Sequence, residues 1–121
     1  MENPRDLLPP NPFAPAGPDR LAVQWAALRE AASVIASLAG PDTSASAAEH
    51  LAFPGALRTA PERRRPLIEQ TIGDLIAIME PGLRALLTVH EQGGNPGPAA
   101  QALWQEFVAA RGGLLALAVS E

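Results

Sequence analysis

Residues 66–92 decide the fold of this chain, and they read PLIEQTIGDLIAIMEPGLRALLTVHEQ. Apolar residues recur along them at steps of three and four, a spacing that places them on one side of an α-helix. Pro66 suits the first turn of such a helix, where the N–H that proline lacks is not needed. The same phase continues through Pro81, so the pattern favours one kinked helix to about Gln92 over two helices that meet at Pro81.

Two more stretches with helical spacing flank this central segment. Asp19 is a candidate N-cap for the first, and Gly40 followed by a proline should end it. Asn95 is a candidate N-cap for the last, with Pro96 in the first helical position, and this helix continues to the end of the chain. The chain is therefore expected to contain three long helices.

A weaker helical pattern follows the first long helix. Ser46 and Glu49 have the spacing of a capping box, and Leu51 and Phe53 would form the buried side of a short helix. Together these patterns predict an all-α protein, an antiparallel helical bundle of three long helices plus one short helix. The sustained steps of three and four favour shallow crossings between the helices.

Prolines at positions 9, 12, 15 and 18 stand three residues apart, which is the repeat of a polyproline II helix. We therefore expect an extended proline-rich arm over residues 1–18 and a helical bundle domain over residues 19–121. Phe13 is the single aromatic residue of the arm. The alternatives for the arm are docking on its own bundle or on a second subunit, recognition by a partner, and disorder.

The composition argues against several classes of function. The chain has no cysteine, so thiol nucleophiles, disulfides and thiolate zinc sites are excluded. Its net charge of -4 argues against a nucleic-acid partner, because phosphate binding needs clustered positive charge. All nine basic residues are arginine and alanine occurs 24 times, a bias typical of GC-rich bacterial genes. Neither a signal peptide nor a membrane span is indicated, so we expect a cytoplasmic protein without a membrane partner.

The sequence contains no recognisable catalytic or metal-ligating motif. His50 and His90 do not occur in a Glu-x-x-His or a His-Glu-x-x-His pattern, and the more ordinary roles are capping or partial burial. No serine stands in a Gly-x-Ser-x-Gly setting. We therefore expect neither an enzyme nor a resident cofactor or metal ion.

Two groups of residues are candidates for binding. Arg63, Arg64 and Arg65 stand just before the central helix, where guanidinium groups and free backbone N–H groups favour a bound anion. The alternative is a solvated run of charge. The second half of the last helix is apolar nearly all round and needs cover. The candidate interface residues are Phe13, Trp104, Val108, Leu114, Leu115 and Leu117.

These features favour a non-catalytic helical interaction protein, an adaptor, regulator or assembly factor that acts through an apolar helix face or the arm, as a homodimer. Two alternatives stay open. One is a small-ligand or anion-binding helical module that uses Arg63–Arg65 or an aromatic pocket of Trp25, Trp104 and Phe107. The other is a secretion chaperone or an exported helical protein.

Overall fold

The computed structural model of the protein describes residues 18–119, and every regular element in this range is helical, which confirms the all-α prediction. Residues 1–17 lie outside the described range, so the extended arm and the role of Phe13 stay predictions. The helices are α1 (Pro18–Ala39), α2 (Pro41–Ser46), α3 (Ala48–Leu51), α4 (Gly55–Arg58), α5 (Arg65–Glu91) and α6 (Gly97–Val119), and a 3-10 turn, Glu62–Arg64, precedes α5.

Glycine and asparagine mark the helix ends where the sequence predicts them. Gly40 follows α1 with φ +134°, and Gly93 follows α5 with φ +84°. Residues with a Cβ rarely adopt such a backbone, so both positions favour glycine. At the start of α6 the side-chain oxygen of Asn95 accepts a hydrogen bond from the Gly97 N–H at 3.0 Å, as expected of an N-cap.

Helix α5 is a single helix of 27 residues with Pro81 inside it. The prediction of one continuous helix is therefore confirmed, and that of two separate helices is wrong. A proline in a helix interior costs about 3 kcal/mol. Burial on both sides of Pro81 outweighs this, since each buried aliphatic side chain contributes about 1.5–3 kcal/mol. The buried residues of α5 are Ile68, Ile72, Leu75, Met79 and Leu86.

Residues 41–58 form three short helices, whereas the sequence predicts one. The predicted capping box is absent, because the Ser46 hydroxyl donates to the Asp42 carbonyl at 3.1 Å and α3 begins without a side-chain cap. Serine hydroxyls readily form such local bonds to the backbone. Leu51 and Phe53 do pack, half-buried, against the core. Tertiary contacts rather than local capping therefore hold this segment.

The short helices bring the chain back along α1. Helix α3 lies beside Arg29 in the middle of α1, and Phe53 contacts Trp25 nearer its start, with ring centroids 6.4 Å apart. Helix α5 then begins next to the start of α1, where the Gln24 side-chain amide donates to the Glu69 carbonyl at 3.3 Å. Later parts of α1 and α5 also line a common cleft. These two long helices therefore run side by side in the same direction.

Helix α6 lies in the opposite direction to α1. Phe107 in the middle of α6 contacts Trp25, with ring centroids 5.8 Å apart, and the start of α6 at Gly97 lies next to Leu38 near the end of α1. The α1–α5 pair thus departs from the predicted antiparallel arrangement, because residues 40–64 return the chain to the start of α1 before α5 begins.

The hydrophobic core lies between the three long helices, and the short helices cover one of its sides. Apolar side chains at the predicted stripe positions of α1, α5 and α6 supply most of it. Its largest fully buried side chains are Trp25, Phe107, Leu21, Leu28, Ile35, Leu57, Ile68, Ile72, Met79 and Leu114. Because the core fills the inner side of each long helix, these helices offer their outer sides for binding.

Candidate functional site

An apolar groove of about 360 Å³ runs between α5 and α6. Gly82 allows the two helices to approach, since a Cβ at this position would lie 2.6 Å from Cδ2 of Leu103. Carbon atoms in contact are normally about 3.5–4.0 Å apart. Small and apolar side chains form the walls, together with one carboxylate. The lining residues are Gly82, Ala85, Leu86, Ala99, Ala102, Leu103 and Glu106.

Exposed apolar side chains of α5 extend this groove. Leu67 is 45% exposed, Ile78 is 54% exposed and Val89 is 39% exposed. Their spacing relative to Ala85 places them on the same side of α5. We call the groove together with these three residues the α5–α6 face. Exposed Asp74 lies on the same side between Leu67 and Ile78, so the apolar surface consists of the groove with Ile78 and Val89 beside it and a separate apolar position at Leu67. An exposed apolar groove is typical of a site of contact with another molecule.

The aromatic residues form one cluster in the core. The Phe107 ring lies 5.8 Å from Trp25 and 5.1 Å from Trp104, measured between ring centroids. The indole N–H of Trp25 donates to the Leu51 carbonyl at 2.8 Å, which connects α1 to the end of α3. All three rings are buried. Their apolar surface is used by the fold, so an aromatic ligand pocket would have to open this cluster.

The predicted interface residues of the last helix lie at two depths. Trp104 and Leu114 are buried in the core of the chain itself. Val108, Leu115 and Leu117 are half-buried. Phe13 lies outside the described residues. Within this set, only the half-buried side chains of α6 present surface to a partner without repacking the core.

The arginine run spans the 3-10 turn and the first residue of α5. Arg63 is exposed, and Arg64 and Arg65 are half-buried. The Nε and Nη1 atoms of Arg65 are buried and have no hydrogen-bond partner among the described residues. A guanidinium group in this position favours an oxygen acceptor with negative charge.

The two histidines lie in different parts of the fold. The His50 ring stands edge-on to Trp104, with centroids 6.1 Å apart. His90 is exposed in the last turn of α5. Within residues 18–119, no three His, Asp or Glu side chains are grouped closely enough to hold a metal ion. In the described part of the chain, neither histidine therefore has neighbours that suggest metal chemistry.

Helix α6 is long and apolar enough, by length and composition alone, to cross a membrane. Core helices of water-soluble proteins can meet the same criteria. Only 22% of its most apolar 18-residue window is buried within the described fold. The packing of α6 therefore leaves much of its surface exposed.

No family model, no curated protein and no solved structure matches the chain. Function is therefore inferred from the geometry of the surface. The groove itself was not predicted from the sequence, although Gly82 stands in the predicted apolar stripe of α5. A glycine at such a position is the signal that two helices approach closely there.

Proposed function

We propose that this protein is a non-catalytic helical interaction protein, an adaptor, regulator or assembly factor, and that the α5–α6 face is its docking surface. The arrangement behind the proposal is a bundle of three long helices in which α6 is antiparallel to the other two. The observation that supports it is the apolar groove at Gly82 and Leu103, with exposed Ile78 and Val89 beside it. A helix or an extended apolar segment of a partner fits such a groove.

The size of the surface is consistent with a protein partner. Helices α5 and α6 are each at least 23 residues long, so they extend for about 34 Å or more. Two adjacent helices of about 10 Å diameter and this length have an outline of roughly 700 Å², of which the α5–α6 face is a part. Standard protein interfaces use about 800 Å² per partner. A short peptide or small molecule would leave most of this face uncovered.

The test places a charge in the groove and compares it with the same charge elsewhere on α5. Ala85 lines the groove, whereas Ala77 is also exposed and does not line it. The full chain and the two variants, Ala85→Arg and Ala77→Arg, would be used as bait in affinity purification with intact-mass detection. We expect Ala85→Arg to lose at least 90% of the captured partner or second copy and Ala77→Arg to keep it. Equal capture by both variants would contradict the proposal.

A second candidate function is an anion-binding module at the start of α5. The buried Nε and Nη1 atoms of Arg65 support it, because each unpaired buried N–H of a charged group costs about 1–3 kcal/mol or more. An oxyanion would supply the missing acceptors. Inorganic phosphate should raise the Tm of the native chain and of an Arg29→Gln control, but not that of Arg65→Gln. A Tm that is independent of phosphate in all three proteins would refute this candidate.

A further inference from the structure

Among the described residues, the α5–α6 face carries negative charge and no positive charge. Glu106 is the charged residue that lines the groove. Asp74 is exposed and stands four residues before Ile78, on the same side of α5. The axial distance between the two carboxylates follows from the contact of Gly82 with Leu103 and is about 7.5 Å at 1.5 Å per residue. These carboxylates give the apolar groove an acidic end.

The basic residues of the two helices lie elsewhere. Arg84 lines the cleft between α1 and α5. Arg111 is half-buried and its Nε atom is buried, and the other basic residues of α5 stand at its two ends. Within residues 18–119, Glu106 and Asp74 have no ion-pair or hydrogen-bond partner. Both charges are therefore available for pairing with another molecule.

We propose that the partner of the α5–α6 face is a basic amphipathic helix, whose apolar side chains fill the groove and whose arginine or lysine residues pair with Glu106 and Asp74. This inference rests on the proposed function and names the class of partner. Small residues such as Gly82, Ala85 and Ala102 let a helix approach closely. A helix in this groove would complete a four-helix bundle.

The two carboxylates set the spacing of the partner's basic residues. Measured from Gly82 along the helix axis, Glu106 lies about 5 Å away and Asp74 about 12 Å away, or about one and two turns of helix. The apolar residues of the partner should therefore recur at steps of three and four beside Gly82, with basic residues one and two turns further along.

Charge distinguishes this partner from other occupants of the groove. A second copy that used the same face would bring two further carboxylates and no cation, so the carboxylates would be desolvated without a partner. Nucleic acid and anionic lipid would be repelled by the same two charges. The net charge of -4 acts in the same direction. A positively charged helix removes this penalty and associates faster.

Synthetic peptides test the charge directly. The probe is a helix of about 18 residues, about 27 Å long, with leucines in its middle and two arginines at each end, so that either orientation brings arginine to the carboxylates. The control peptide has glutamate in place of every arginine. In fluorescence anisotropy with the full chain, we expect the arginine peptide to bind about tenfold more tightly at low ionic strength, with a smaller ratio in high salt. Equal Kd values would overturn the proposal.

Variants of the chain locate the charge. The double variant Glu106→Gln with Asp74→Asn removes both carboxylates of the face. Its matched control, Glu80→Gln with Glu91→Gln, removes two exposed carboxylates from the other side of α5 and changes the net charge equally. We expect the first to raise the Kd of the arginine peptide about fivefold and the control to leave it within about twofold.

Charge reversal makes the same test in the other direction. In Glu106→Arg with Asp74→Arg, the glutamate peptide should bind more tightly than the arginine peptide. Both positions are exposed, so the fold should be kept. An unchanged preference, or equal effects of the two neutral double variants, would show that the face does not select charge and would overturn the proposal.

The remaining outcomes separate this inference from the proposed function. If affinity purification loses the partner with Ala85→Arg but keeps it with the neutral Glu106 and Asp74 variant, the docking surface stands and the basic helix is wrong. A native dimer, or binding to phosphatidylcholine vesicles, that Ala85→Arg abolishes would make the occupant a second copy or lipid and overturn the proposal. If the arginine peptide binds only after Phe13→Glu, the occupant is the arm. If Ala85→Arg changes neither capture nor peptide binding, both proposals fail.

Discussion

Two glycines of α5 should respond differently to the same substitution: Gly73→Ala should stabilise the chain and Gly82→Ala should not. Gly73 has nothing within 4 Å of the position of a Cβ, so Gly73→Ala removes only the flexibility of glycine. Replacing glycine by alanine in a helix interior stabilises by about 0.8–1.0 kcal/mol. For a domain of this size, that corresponds to a Tm increase of roughly 4–8 °C.

The same substitution at Gly82 meets an obstacle. The new Cβ would lie 2.6 Å from Cδ2 of Leu103 and 3.5 Å from its Cδ1, so Leu103 or the α5–α6 separation has to shift by about 1 Å. Overpacking of this kind costs about 1–3 kcal/mol. After the helix-propensity gain is added, Gly82→Ala should range from neutral to about 2 kcal/mol less stable than the native chain.

The comparison can be measured by urea unfolding of the full chain, followed by the fluorescence of its two tryptophans, both of which lie in the core. We expect Gly82→Ala to be about 1–3 kcal/mol less stable than Gly73→Ala. In a Leu103→Ala background, the penalty at Gly82 should disappear, because the obstructing methyl groups are gone. If both alanine variants gain equally in the native background, the close contact between Gly82 and Leu103 is refuted.

Two contacts of the short helices give further predictions. Trp25→Phe should lower the free energy of unfolding by about 1–2 kcal/mol, since the Leu51 carbonyl loses its donor at 2.8 Å. An unchanged urea midpoint would show that this hydrogen bond does not stabilise α3. Arg58→Leu should cost about 0.5–1 kcal/mol, because the guanidinium lies 5.0 Å from the centroid of the Phe53 ring. Arg58→Lys should retain part of this energy, and equal losses in thermal unfolding would count against a cation–π contribution.

Local signals were sufficient for the long helices. Pro66, Gly40 and Gly93 act through backbone geometry that depends on the residue alone, and the structure has helix ends beside each of them. The continuity of α5 through Pro81 was also predictable, because the apolar stripe keeps its phase on both sides. At the helix ends the deciding energy belongs to a few neighbouring residues, whereas at Pro81 it comes from the burial of the apolar stripe on both sides.

The short helices, the shared direction of α1 and α5, and the groove depend on tertiary contacts, so the sequence did not predict them. Helices of four to six residues are too short to be stable alone, so α2, α3 and α4 depend on contacts with other elements. One such partner is Trp25, and no residue within the short helices indicates that it will pack there. The shared direction of α1 and α5 follows from the path of residues 40–64. The groove also depends on residues that are distant in sequence, because the absence of a Cβ at Gly82 matters only where Leu103 packs against it.

The two sides of α6 differ in how far the fold explains them. The buried side consists of Ala100, Trp104, Phe107, Leu114 and Ala118, and the core accounts for each of them. On a helix that only covers a core, the outer side would be charged and polar. Here most of the exposed residues are alanine or glycine, the others being Pro98, Gln105, Glu106 and Val119, so this side carries little charge. The low charge of this side leaves apolar surface beside Leu103 and the groove, where the proposed partner would bind.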